Sequence, residues 1–106
     1  MSEALARSYW ERISNQEWDE AEKLLHPDFV AEWPQSRERF RGGSNFIRMN
    51  HEYPGTHRVE ILEVMAAADR AVVTVFINAA DTGQKAYATS WFEFKDGRIA
   101  KLTEFW

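Results

Sequence analysis

At 106 residues, 44% of them hydrophobic and 28% charged, the chain is sized for one soluble globular domain spanning 1–106, which excludes a second independent core and a disordered or fibrous chain. A formal charge of −4 argues against a nucleic-acid partner, which requires a basic excess to displace counterions from phosphates, and no apolar run approaches the roughly 18 residues of a membrane span. The lack of cysteine excludes disulfides, thiolate catalysis and Cys-based metal sites.

Met1–Arg12 carries acids inside an amphipathic pattern instead of an apolar signal core, so an unanchored, cytoplasmic protein is expected. Ser2 is placed as an N-cap, and Leu5, Ala6, Tyr9, Trp10 and Ile13 follow at helical spacing to near Asn15. A second helix is predicted over Gln16–Leu25, stopped by Pro27. Phe29, Ala31 and Trp33 then alternate up to Pro34, which predicts a short strand at a sheet edge. Gln35–Gly43 reads as a polar loop, and a third, shorter helix carries Phe46, Ile47, Met49, Asn50 and Tyr53 up to Pro54. From His57 to Trp106 the period becomes two, with turn signals at Ala68–Arg70, Asp81–Gly83 and Lys95–Gly97, so a four-strand meander is expected. A parity switch from Val59 and Ile61 to Leu62 and Val64 predicts a β-bulge. The fold class is α+β, three helices on a curved mixed or antiparallel sheet.

Side-chain direction in the meander depends on its turns, because a one-residue slip turns every side chain over. Lys95-Asp96-Gly97 is read as a three-residue loop pairing Phe94 with Arg98, which sets Ser90 opposite Leu102, Ala88 opposite Glu104 and Ala86 opposite Trp106 on the inner face. The same turn at Asp81-Thr82-Gly83 adds Val72, Thr74, Phe76 and Asn78 to that face. The other face then holds Val73, Val75, Ile77, Tyr87, Thr89, Trp91, Lys101, Thr103 and Phe105, and is too apolar to stay wholly in water. A homodimer through Val75, Ile77, Tyr87, Trp91 and Phe105 is expected.

The order of elements, Asp96-Gly97-Arg98-Ile99 leading to Glu104-Phe105-Trp106, and Pro27-Asp28-Phe29 before a strand resemble the nuclear transport factor 2-like superfamily, in particular its SnoaL-like branch. The resemblance implies a cone of helices around a strongly bent sheet, often dimeric through the convex face, with ligands held in the cone. Binding proteins, isomerases, cyclases, dehydratases and epoxide hydrolases share this fold, so the fold alone does not select a reaction. Aligned on Pro34, the ketosteroid isomerase pattern puts Tyr9 at its tyrosine donor position but Trp33 at the base position and Ser90 at the second acid position. Neither supplies a carboxyl group, which argues against that enzyme's mechanism.

Glu104 is the acid/base candidate, since a carboxyl pointing into an apolar cone would titrate at raised pH; the alternative is a structural carboxylate ordered by a Tyr, Trp or Arg donor. Tyr9 is the candidate oxyanion donor; the alternative, commoner for a Tyr on the inner stripe of a first helix, is a core residue with a satisfied hydroxyl. The five Trp, seven Phe and three Tyr suggest an apolar wall, with Trp33, Met49, Tyr53, Phe76, Ser90, Phe92 and Trp106 assigned to ligand binding, although the rings would fill a core equally well. His51 is placed near the cone mouth, and the arginines at 37, 39 and 41 around Phe40 form a basic loop open to an anion or simply solvated. No HExxH pattern, GxSxG elbow or dinucleotide fingerprint occurs, so neither metal nor cofactor is expected. Two functions fit: a pocket for a small apolar molecule, with cofactor-free acid/base chemistry of the isomerase, cyclase or hydrolase kind, or a noncatalytic dimeric module for ligand or protein binding.

Overall fold

In a computed structural model of the chain, which describes residues 2–106, the apolar stripe of the first segment folds as α1 (Ser2–Ser14) and buries Ala6, Tyr9, Trp10 and Ile13. Met1, the first residue of the expected domain, lies outside the described residues. Ser2 does not act as the expected cap: its Oγ donates to the carbonyl of Ala68 at 2.8 Å and ties the helix to a distant turn. The second helix is shorter than predicted. α2 (Trp18–Lys23) stops two residues before Leu25, because β1 (Leu25–Trp33) already begins there.

β1 is not at the edge of the sheet. Glu38–Arg41, inside the predicted polar loop, forms strand β2 and pairs antiparallel with β1 as the true edge. After α3 (Gly43–Glu52) come β3 (Arg58–Ala66), β4 (Arg70–Ala79), β5 (Gln84–Lys95) and β6 (Arg98–Phe105). The six strands form one mixed sheet in the order β2-β1-β6-β5-β4-β3, with β1 parallel to β6 and the other neighbours antiparallel. Pro27 is tolerated within β1 because the register against β6 jumps between Leu25 and Val30, where a strand can spare a backbone donor. Among the described residues no helix is long and apolar enough to cross a membrane.

Three turns decide the facing of the meander. The bulge expected near Ile61 is present, as the β3–β4 register shifts between Ile61 and Glu63. The β4–β5 loop is one residue longer than predicted: Ala79 pairs with Gln84, and its carbonyl accepts from the N–H groups of both Thr82 and Gly83 at 3.2 and 2.8 Å. That single residue inverts β4, so Val73, Val75 and Ile77 face inward and Val72, Thr74 and Phe76 face outward.

The β5–β6 turn is the two-residue Asp96-Gly97 loop, with φ of 53° and 74° and Lys95 paired to Arg98. Positive φ at both positions marks a type I′ turn, which matches the twist of the flanking strands. A bulge at Ala100 follows, and together the two features set Ser90 opposite Glu104 instead of Leu102. The displacement is two residues, so Ser90, Phe92, Leu102 and Glu104 still share the inner face.

That face and the inner stripes of α1 and α3 make the core. Tyr9, Phe29, Phe46, Phe92, Ile99, Leu102, Val73 and Val75 are fully buried within it. Each large ring sealed from water contributes about 1.5–3 kcal/mol. Tyr9 meets Trp10 and Phe92 edge to face at 5.1 and 5.7 Å, and Phe29 leans on Phe46 at 5.5 Å.

Candidate functional site

The core is not filled to the end of the sheet. Toward the open ends of β5 and β6 the inner face carries Ala86 and Ala88, whose methyl groups are too short to reach the helices above them. A cavity of about 160 Å³ remains. Its buried end is formed by Trp10, Ile13, Ala88 and Glu104, and its exposed rim includes Tyr53, Gln84 and Trp106. Half-buried Trp18, Trp33, Met49 and Ile77 make the walls between.

Glu104 is the acid of this lining. It stands on β6 with only 7% of its surface exposed, and Trp33 Nε1 donates to its Oε1 at 3.0 Å. The parallel pairing of β1 with β6, in which Glu32 lies level with Thr103, brings the indole and the carboxyl together. Among the described residues no second group donates to this carboxyl. Burial therefore dominates, raising its pKa from 4.5 to about 7, while the Trp33 bond pulls in the opposite direction. Trp33→Phe is expected to raise the Glu104 pKa further by removing that donor, and infrared titration of the protonated carboxyl band would show it. An unchanged or lowered midpoint would dismiss the indole bond as the restraining influence.

Of the residues assigned from sequence, the structure brings Trp33, Met49, Tyr53, Glu104 and Trp106 to one cavity. Trp33 and Trp106 meet edge to face at 4.5 Å across its mouth. Four others stand elsewhere. Tyr9 is buried behind the cavity, where desolvation and the neighbouring Glu104 charge raise its phenol pKa well above 10.0. Phe92 is packed into the core against Tyr9, and Ser90 is wholly buried opposite Glu104, its hydroxyl without a hydrogen-bond partner among the described residues. Phe76 lies on the outer face against Tyr87 at 5.0 Å, a consequence of the longer β4–β5 loop. His51 is stacked on Trp18 at 5.0 Å.

Trp10, Ile13 and Trp18 join the lining unexpectedly, although the amphipathic stripe of the first helix contains two of them. So does His57, whose Nε2 is 2.8 Å from the Gln84 side-chain oxygen. Ile77 was missed for the same reason that Phe76 was chosen.

A family model described as a SnoaL-like domain matches residues 6–102. The structure of a candidate ketosteroid isomerase from Kribbella flavida is 32% identical with a TM-score of 0.91, covering 97% of this chain and 75% of that one. A candidate polyketide cyclase from Sinorhizobium meliloti is 25% identical with a TM-score of 0.81, covering 95% and 93%. An epoxide hydrolase of M. tuberculosis described as LEH-like is 20% identical with a TM-score of 0.81, covering 96% and 79%, and shares the fold alone. No curated protein matches the sequence.

Proposed function

The chain belongs to the SnoaL-like domain family, and from that footing we propose that it binds a small, largely apolar molecule in the aromatic-lined cavity and acts on it by cofactor-free acid/base chemistry. Glu104 is the proton carrier. The observation that carries this reading is a buried carboxyl in the cavity lining whose pKa is about 7, so that both of its forms are populated near neutrality. As carboxylate it takes a proton from one atom of the substrate, and as carboxylic acid it returns a proton to another. The reactions that fit are isomerisation, cyclisation and hydrolysis, the classes named for the solved relatives in Kribbella, Sinorhizobium and M. tuberculosis. Tyr9 serves behind the carboxyl as a neutral phenol instead of touching the substrate, in keeping with its burial and its raised pKa.

Volume narrows the choice. A cavity of about 160 Å³ is close to the ~150 Å³ engineered apolar cavity that accepts benzene, which favours a one-ring molecule over a four-ring steroid. A thermal-shift screen of small hydrophobic compounds, followed by turnover assays on the hits, tests the reading, because a ligand of the native state raises its stability. Glu104→Gln is expected to retain binding while lowering turnover by about 10²–10⁴-fold. Turnover equal to that of the parent protein would remove Glu104 from the chemistry.

A second reading, a noncatalytic dimeric module, is favoured by the outer face of the sheet. Tyr87, Trp91 and Phe105 are 67%, 48% and 42% exposed there, and Phe76 adjoins them. Val75 and Ile77, first assigned to this surface, face inward and are withdrawn from it. We propose that a second copy of the chain covers the remaining aromatic patch. Sedimentation at high micromolar concentration should give a dimer for the parent protein and a monomer for Trp91→Lys; a monomeric parent would end the proposal.

A further inference from the structure

The rim of the cavity continues into a second, open groove lined by Arg39, Phe40, Arg41, Arg48, Glu52 and Tyr53. Met49 and Tyr53 belong to both, so the two depressions meet along the same side of α3. The charge of this groove is opposite to that of the molecule. The chain carries −4 overall, yet three guanidinium groups converge here against one carboxylate, Glu52. Arg39 is held by Glu32 at 3.1 Å, whereas among the described residues Arg41 and Arg48 make no ion pair.

The local fold brings the two free arginines together. Arg39 and Arg41 share one face of β2 by strand alternation, while Phe40 turns inward against Trp33 and Phe46 at 4.8 and 5.5 Å. Gly42, at a φ of 88°, lets the chain turn directly into α3, which presents Arg48 beside them. Like charges lining one groove repel each other, and an anion bound between them would relieve the repulsion and accept charge-assisted hydrogen bonds from both.

We propose that Arg41 and Arg48 form an anion subsite for the molecule whose apolar part occupies the cavity, so that the ligand is amphipathic: a single ring joined through a short tether to a carboxylate or phosphate. This rests on the cavity reading above and adds the chemical class to it. The tether passes Met49 and Tyr53, and the anion lies in the groove, away from the Glu104 carboxyl at the buried end.

Two matched series of probes test it, ω-phenylalkanoates of three to eight chain carbons and their primary amides, titrated calorimetrically against the intact protein at low salt. The expected result is a chain length at which the carboxylate binds about tenfold tighter than its amide, with the preference reduced by added salt and abolished in Arg41→Gln/Arg48→Gln. These exposed arginines are remote from the core, so the double variant folds, and amide binding to it serves as the control. Amides that bind while carboxylates gain nothing at any length would overturn the anion subsite and leave the cavity reading intact. So would a carboxylate preference that survives in the double variant. Failure of both series would sink the two together. Arginine-dependent carboxylate binding that is unaffected by Ala88→Phe, which fills the cavity, would show an anion site with no ring pocket and overturn the amphipathic ligand.

Discussion

Glu104→Gln should stabilise the protein at alkaline pH and leave it almost unchanged in acid. The carboxyl has a folded-state pKa of about 7 against 4.5 for its ordinary value, so between those limits the native state holds a proton that the unfolded chain has released. Stability therefore falls as pH rises through this window, and the contribution is lost once pH exceeds about 7. The interval corresponds to about 3 kcal/mol. Glutamine keeps an oxygen for Trp33 Nε1 and carries no charge at any pH, so the variant avoids the loss. Urea unfolding of both proteins at pH 3.5, 6.5 and 8 should show a difference near zero at the lowest value, growing to about 3 kcal/mol at the highest. Parallel stability curves would mean that the carboxyl is not raised.

That destabilisation is informative about function, because a buried carboxylate with a single donor is a poor choice for a core position. Leucine or glutamine would be easier to accommodate opposite Ser90. An acid placed where its charge weakens the fold is what the proposed proton carrier requires. The pH profile of turnover then separates its two roles: kcat/KM that rises through about 7 identifies the ionised base, and kcat/KM that falls identifies the acid.

Much of this architecture was legible in the sequence because it rests on local periodicity. α1, α3, the four terminal strands and the bulge near Ile61 follow from apolar spacing and turn residues. What was illegible depends on pairing at a distance. β2 has one inward residue, Phe40, among Glu38, Arg39 and Arg41, and only its partner β1 makes it a strand. The position of β1 inside the sheet depends on its parallel pairing with β6, some 70 residues away in the chain. Glu104 was placed inward through two compensating errors: the true Asp96-Gly97 turn is one residue shorter than predicted, and the bulge at Ala100 restores the parity. No such compensation follows the β4–β5 loop, so one additional residue exchanged Phe76 for Ile77 in the site.

The same loop makes the most severe substitution predictable. Val75 is fully buried on β4 opposite Ala88, and Phe76 faces outward against Tyr87. Val75→Asp introduces an unpaired charge into the buried core and should cost about 4 kcal/mol or more, a large share of the stability of a domain of this size. Phe76→Asp loses one aromatic contact and the burial of an already partly exposed ring, about 1–2 kcal/mol. Should Val75→Asp fail to accumulate, Val75→Thr gives a measurable version, since its similar shape isolates the penalty of burying a hydroxyl, about 1–3 kcal/mol. Phe76→Thr on the outer face should keep the cavity and its ligand binding. The shorter loop read from sequence demands the reverse, with Phe76 facing the cavity and Val75 on the outer face, where a charge would weaken the association of two copies and spare the fold of one. Urea midpoints for the four variants, together with binding of one cavity ligand, decide between the two registers, and a Val75→Asp protein as stable as its parent would invert β4 once more.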